Sequence, residues 1–181
     1  MSFWTARRAF IADCSTVPGT ALAEDLLTRE AIVTGLVANP IADDSPFVRN
    51  RLYERIDIVR GRTDDHVALA PILSAREIEI LFLSPAMNVR AVHAMISAAR
   101  KAVPHAAIVL PVVSATSRIV DVAEAFRAVA GSAIGIVSLG EADSPDAANQ
   151  FLIAHAERVI LRDPAALRGI AEWPTLRRRA A

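Results

Sequence analysis

Short apolar runs alternate with longer amphipathic stretches along most of this chain. The clearest apolar runs are at 79–83, 107–113, 133–139 and 158–162. Ala-rich stretches with helical spacing, such as 88–103 and 120–129, lie between them. Parallel strands that are buried on both faces read as continuous apolar runs, and the alternation of strand and helix is typical of right-handed βαβ units. The pattern therefore predicts an α/β fold.

The first half of the chain repeats this alternation less regularly. Strands are predicted at 9–13, 31–38 and 55–59. Helices are predicted at 20–27, 47–55 and 63–74, with Thr20, Ser45 and Thr63 as their N-caps. No linker or repeat divides the chain, so residues 1–181 are expected to form a single α/β domain. Its core is predicted to be one doubly wound, mostly parallel sheet of about six to seven strands with helices on both faces.

Composition excludes several classes of partner. Lys plus Arg and Asp plus Glu are both 20, so there is no basic footprint for nucleic acid. Cys14 is the only cysteine, which excludes an internal disulfide and a cysteine-based zinc site and favours a reducing compartment. No apolar run approaches the roughly 20 residues of a membrane span, and the N-terminus does not have the pattern of a signal peptide. We expect a cytoplasmic protein without membrane contact.

Glycine-rich phosphate loops are missing from the sequence. The only lysine, Lys101, has no glycines before it at the spacing of a P-loop. Gly131, Gly135 and Gly140 are the closest glycine cluster, and their spacing is not that of the Rossmann dinucleotide fingerprint. The His-Glu-x-x-His and Gly-x-Ser-x-Gly motifs are also absent. We expect neither a P-loop NTPase nor a Rossmann dehydrogenase, and the sequence indicates no particular cofactor.

From Asp43 to about Val137 the chain resembles a response-regulator receiver domain. Asp43 and Asp44 follow a predicted strand, as the paired acidic residues of that family do, and Ser114 matches the family's hydroxyl residue. Ser84, however, occupies the position of the phosphoacceptor aspartate, and no lysine ends the last strand of the match. Without a carboxylate nucleophile no acyl phosphate can form. The resemblance therefore implies a receiver-like module that lacks the phosphoacceptor.

Polar residues that follow the predicted strands are the candidate site residues, because ligands of open α/β sheets bind outside the carboxyl ends of the strands. A thiol with an imidazole and a carboxylate can form a nucleophile set, which makes Asp13, Cys14 and His66 the candidate catalytic residues. The candidate ligand-binding residues are acids and hydroxyls: Asp43, Asp44, Ser84, Ser114 and Thr116.

Each candidate also has an ordinary structural explanation. Acidic and hydroxyl residues before a helix act as N-caps or offset the helix dipole, although an acidic pair can also bind Mg²⁺. A lone cysteine is usually a small buried residue. The four histidines are scattered along the chain, so no metal site is expected.

Two functions are compatible with this pattern. The absence of specific catalytic motifs favours a non-catalytic regulatory or partner-binding α/β domain, receiver-like but without the phosphoacceptor. The alternative is a small cytosolic enzyme that acts on a phosphorylated or carboxylated metabolite at the carboxyl rim of the sheet.

The predicted helices at 120–129 and 146–156 carry more apolar surface than one sheet face can cover. Phe126 and Phe151 belong to this excess surface. Apolar surface of this kind is typically buried against another chain. We therefore expect a homo-oligomer, most simply a twofold homodimer, or a complex with another protein.

Overall fold

Seven parallel strands form one sheet in the computed structural model, which describes residues 2–112, 118–130, 133–139, 145–168 and 170–172. The strands are β1 (Arg8–Ile11), β2 (Ile32–Val37), β3 (Asp57–Arg60), β4 (Ile80–Phe82), β5 (Ala107–Val112), β6 (Ile134–Ser138) and β7 (Ile170–Glu172). Their order is β3-β2-β1-β4-β5-β6-β7, and every pair is parallel. The predicted doubly wound α/β sheet is confirmed.

Helices cover both faces of the sheet. They are α1 (Val17–Thr28), α2 (Pro46–Arg49), α3 (His66–Ala75), α4 (Val89–Ala102), α5 (Arg118–Ala130), α6 (Pro145–Ile160) and α7 (Pro164–Leu167), with a 3-10 turn at Leu52–Glu54. The apolar sides of α3, α4 and α5 pack on one face, and those of α1 and α6 pack on the other. None of the helices in the described residues is long and apolar enough to cross a membrane.

Side chains of β1 alternate between these two layers, as the period of a strand requires. Phe10 belongs to the layer under α3 and α4, whereas Ala9 and Ile11 belong to the layer under α1 and α6. All three side chains are buried. A central strand covered on both faces explains why the sequence at this point is apolar without interruption.

The ends of two helices differ from the sequence prediction. Helix α1 is capped by Thr16, whose Oγ1 accepts the Gly19 N–H at 3.3 Å, and not by Thr20. Thr20 is buried and donates its hydroxyl to the Cys14 carbonyl at 3.1 Å. Helix α3 is capped by Asp65, not by Thr63. Several capping residues stand close together in both segments, and the path of the backbone selects one of them.

The strand predicted at 158–162 is wrong, because these residues end helix α6. Leu152, Ala156 and Val159 are buried at helical spacing along α6, so the apolar run continues the face that packs on the sheet. The helix ends near Arg162, which has a left-handed backbone with φ 55°. In the described part of the chain, the strand that follows α6 is β7.

The direction of winding reverses at β1. Its neighbours are β2 on one side and β4 on the other, and the connections leave in opposite directions. The turn after β1 is held to both neighbours: the Ala12 N–H donates to the Phe82 carbonyl at 2.9 Å, and the Cys14 N–H to the Leu36 carbonyl at 3.0 Å. Such a reversal opens a crevice at the carboxyl ends of the strands, where ligands of this architecture bind.

Candidate functional site

Asp13 occupies the tight turn between β1 and α1 in an unfavourable conformation. Its φ is 63°, in the left-handed region that glycine adopts most readily. Its carbonyl accepts hydrogen bonds from the Thr16 N–H at 3.3 Å and the Thr16 hydroxyl at 2.9 Å. Its carboxylate Oδ1 is buried and has no hydrogen-bond partner among the described residues. A strained backbone and an unpaired buried oxygen each cost about 1–3 kcal/mol.

Burial raises the pKa of the Asp13 carboxyl above its ordinary value of 3.8, because the charged form loses its hydration. The shift favours the protonated form of this carboxyl relative to that of an exposed aspartate. The sequence predicted Asp13 as a candidate, and the structure adds the reason to consider it: position, strain and pKa coincide at the point where winding reverses.

Cys14 lies next to Asp13 but is part of the core. It is fully buried, and a side chain at Gly35 of β2 would collide with its Sγ. Burial, followed by the nearby Asp13 charge, raises the pKa of the Cys14 thiol to about 12. A thiol with this pKa is protonated at neutral pH and is a poor nucleophile. The geometry therefore fits the structural explanation of Cys14 better than the catalytic one.

The other candidates near β2 and β3 stand at the surface. His66 begins α3 and is exposed, and Asp43 and Asp44 are exposed in the loop after β2. No group of three or more His, Cys, Asp or Glu side chains suited to a metal ion occurs in the described part of the chain. These residues share the carboxyl edge of the sheet with Asp13, but they lie on the β2–β3 side of it.

Ser84 follows β4, directly beside the reversal point. It is 6% exposed, and its Oγ accepts a hydrogen bond from the Ala86 N–H at 3.3 Å. Ser114 and Thr116 lie outside the described residues. Of the predicted ligand-binding residues that are described, Ser84 is the one that lines a cavity at the reversal point.

That cavity is a narrow cleft of about 70 Å³ at the carboxyl ends of the central strands, closed on one side by α1 and on the other by α6. Most of its wall is apolar, as shown by Ile11, Leu22, Leu83, Pro111, Leu139 and Leu152. Ala12 and Thr16, which lie on either side of the Asp13 turn, also line it. The cleft therefore accommodates a small apolar group beside the Asp13 turn.

Polar side chains are few in this cleft. Besides Ser84 and Thr16, its lining contains Asn149 of α6, which is only 4% exposed. The side chain of Asn149 therefore places an amide, which can both donate and accept hydrogen bonds, on the wall of the cleft. Sequence reasoning missed Asn149, since nothing in its neighbourhood distinguishes it from a surface residue of an amphipathic helix.

A larger groove of about 640 Å³ lies at the opposite, amino-terminal edge of the sheet. Its most prominent charges are already paired with each other, since Arg7 binds Glu79 at 2.8 Å. Ligands of this architecture bind at the carboxyl edge. We therefore place the candidate site in the smaller cleft, which lies beside the strained turn and is lined by Ser84 and Asn149.

Comparison with known proteins shows the fold but not the family. No protein-family model matches the chain, and no curated protein matches it in sequence. Among solved structures it is similar to BdcA (YjgI) from E. coli, with a TM-score of 0.64 and 15% identity over 94% of this chain and 99% of that one. It is also similar to FabI from Alistipes finegoldii, with a TM-score of 0.68 and 14% identity over 93% and 89% of the two chains.

A third similar structure is the NADH-dependent reductase A1-R' complexed with NAD, with a TM-score of 0.64 and 12% identity over 93% of this chain and 95% of that one. These likenesses agree with the predicted doubly wound sheet and show a Rossmann-like fold although the fingerprint is absent. They correct one expectation. The prediction of a non-catalytic regulatory domain is wrong, because the similar structures include an NADH-dependent reductase.

The strand order of this sheet differs from that of the receiver type of sheet. The resemblance to a receiver domain stays a prediction. In the receiver type of sheet, the first and third strands are neighbours. The strands that would correspond to them here are β2 and β4, and β1 lies between them. The sequence pattern of strands and helices is shared by both folds, so it did not distinguish them.

The β1–α1 turn does not fit the dinucleotide cofactor that this fold type implies. Three glycines normally serve the tight turn, the approach of the pyrophosphate and the close packing of helix on strand. Here Gly19 keeps the packing role, since a Cβ there would lie 2.5 Å from the Asp13 carbonyl oxygen. Asp13, not a glycine, occupies the tight turn. Val17 is 58% exposed and is the first residue of the helix, at the position where a phosphate would approach.

Three residues in the first turn of α1 offer no available backbone donor to a phosphate. Pro18 has no N–H, and the N–H groups of Gly19 and Thr20 already donate to Thr16. A carboxylate at Asp13 adds repulsion to a diphosphate at the same turn. The residues at this turn therefore do not fit a dinucleotide cofactor.

Proposed function

We propose that this protein is an enzyme that transfers a proton to or from a small metabolite at the carboxyl rim of its sheet, with Asp13 as the acid or base. The observation that carries the proposal is the unfavourable state of Asp13: a left-handed backbone together with a buried, unpaired carboxylate oxygen. Glycine would form the same turn without either cost. Strain that persists at the ligand-binding position of a fold is typical of active sites.

The chemistry follows from the surroundings of the carboxyl group. A carboxyl whose pKa is raised by burial can donate or accept a proton at a pH nearer neutrality than an exposed one. Ala12 and Thr16 bring the turn that carries Asp13 to the wall of the cleft. The likeness to an NADH-dependent reductase supports an enzymatic function by analogy of fold.

Hydrogen–deuterium exchange tests proton transfer without any added cofactor. The protein is incubated in D₂O with a panel of small ketones and aldehydes, and NMR follows the exchange of protons on the carbon next to the carbonyl. We expect the wild type to accelerate exchange for at least one compound. Asp13→Asn should lower that rate by about 100-fold or more, because general acid–base catalysis is worth at least that much.

Two controls separate catalysis from folding. Asp121→Asn changes an exposed acid on α5 in the same way and should leave the exchange rate unchanged. Asp13→Asn should be at least as stable as the wild type at pH 7, since it removes a poorly solvated charge. Equal exchange by wild type and Asp13→Asn would contradict the proposal, and so would a clear loss of stability in that variant.

Association with a second copy of the chain also remains our proposal. Phe126 of α5 and Phe151 of α6 are half-buried and pack against the two core layers, and the centroid of the Phe126 ring lies 5.2 Å from that of His93. The apolar surface left exposed there is smaller than the sequence indicated. The test by light scattering is given in the Discussion.

A further inference from the structure

We infer that the cleft between α1 and α6 binds a small uncharged molecule with one carbonyl or hydroxyl group, held by Asn149 and Ser84, and that it does not take a dinucleotide or an anionic metabolite. This inference rests on the proposed function and narrows its substrate class. It replaces the phosphorylated or carboxylated substrate that the sequence suggested.

The first argument is the Asn149 amide. A polar side chain that is almost fully buried and lines a cavity is positioned to bind a ligand or solvent there. Asn149 is 4% exposed and lies on the wall of the cleft. An amide offers both a donor and an acceptor, which suits a carbonyl or a hydroxyl group.

The second argument is Ser84 at the end of β4. Its Oγ accepts the Ala86 N–H, and a serine hydroxyl can donate one hydrogen bond as well as accept. Ser84 lines the same cleft as Asn149. The site therefore offers two hydrogen-bonding side chains in an otherwise apolar wall, the usual arrangement of a small-molecule site.

The third argument is charge and size. No Arg, Lys or His side chain is among the described residues that line the cleft, so a phosphate or carboxylate would be buried there without a partner. Asp13 follows Ala12, a residue of the cleft lining, and its negative charge would repel an anionic ligand. The volume of about 70 Å³ limits the buried part of the ligand to a small group.

NMR titration of the ¹⁵N-labelled protein tests this inference with two six-membered ring compounds, the uncharged cyclohexanone and the anionic cyclohexanecarboxylate. Cyclohexanecarboxamide, which has the size of the carboxylate but no charge, shows whether size alone weakens binding. We expect cyclohexanone to shift the backbone amide signals of residues that line the cleft, with a dissociation constant of about 1–10 mM, as its small size allows. Cyclohexanecarboxylate should bind at least about tenfold more weakly, because its charge would have no partner.

Variants assign the contacts. Asn149→Leu and Ser84→Ala should each weaken cyclohexanone binding by about fivefold, the loss expected for one hydrogen bond. Asn50→Leu, an exposed residue at the end of α2, is the matched control and should leave binding unchanged. Chemical shifts away from the cleft show whether each variant keeps the fold. Because Ser84→Ala changes one oxygen, it keeps the test valid if Asn149→Leu does not fold.

The inference is overturned if the carboxylate probe binds as tightly as cyclohexanone, if neither variant weakens binding, or if cyclohexanone does not bind. It is also overturned if NADH saturates the wild type below about 1 mM and shifts the amides of the α1 turn. These outcomes are independent of the proton-transfer test. Exchange that depends on Asp13 without probe binding removes the inference alone, and probe binding without such exchange removes the proposed function alone.

Discussion

Replacing His155 should remove a large part of the acid sensitivity of this protein. His155 lies on α6, is 4% exposed, and packs directly on β6, where a Cβ at Gly135 would stand 2.6 Å from its Nε2. That Nε2 has no hydrogen-bond partner among the described residues. Burial is the main reason why the pKa of His155 falls from 6.5 to about 4. The charges of Arg158 and Arg127 lower this pKa further, and Asp163 opposes them.

The sign and size of the effect follow from these two pKa values. In the unfolded chain His155 takes up a proton as the pH falls through 6.5, whereas in the folded protein it stays neutral until about 4. The associated stability is therefore fully present above 6.5 and is lost as the pH falls through about 4. A shift of this size corresponds to about 3 kcal/mol, lost at no more than about 1.4 kcal/mol per pH unit.

Urea unfolding of wild type and His155→Leu from pH 7.5 to 4 measures this loss. The repacking caused by leucine is the same at every pH, so the difference between the two free energies of unfolding isolates the titration of His155. We expect the wild type to lose about 2–3 kcal/mol more than the variant over this range. His66→Gln removes an exposed histidine and should follow the wild-type curve. Parallel curves for wild type and His155→Leu, within about 0.5 kcal/mol, would refute the reasoning.

Three further outcomes are expected. Gly19→Ala should destabilise the protein by about 2 kcal/mol or more in urea unfolding, because the new Cβ would collide with backbone atoms of Asp13 and Cys14. An unchanged free energy of unfolding would contradict the close packing of α1 on this turn. Trp4→Phe should cost at least about 1–3 kcal/mol, since it removes the 2.6 Å hydrogen bond from the indole Nε1 to Glu157 and leaves a space where the larger ring was buried; an unchanged thermal midpoint would contradict this expectation. Light scattering at micromolar concentration should give the mass of a dimer, and Phe126→Glu or Phe151→Glu should lower it; a monomeric wild type would remove the proposal of self-association.

The sequence by itself determined the class of fold and the position of most strands. Continuous apolar runs such as 107–113 encode a strand that is buried on both faces, because only such a strand requires apolar residues on both sides. The run at 158–162 looked the same locally. It belongs to α6 because its apolar residues continue a helical face that begins at Leu152, and a short apolar run does not distinguish the two structures.

The order of the strands was decided only by the tertiary structure. A chain that alternates strand and helix can wind so that β2 and β4 are neighbours or so that β1 lies between them, and local periodicity is the same in both cases. The receiver resemblance followed from this ambiguity. Hydrogen bonds from Ala12 and Cys14 to the strands on either side of β1 record which winding the chain adopts.

Some residues of the candidate site could be predicted from the sequence, and others only from the tertiary structure. Asp13 and Ser84 could be found from the sequence, because polar residues that follow apolar runs lie at the carboxyl rim of any sheet of this kind. Asn149 could not, since it comes from a helix far along the chain and reaches the cleft only through the packing of α6 against α1. The burial of Cys14 also depends on contacts with β2, which bring Gly35 against its sulfur. Residue type is a local property of the sequence, whereas burial and the partners of a side chain are set by segments that meet only in the folded chain.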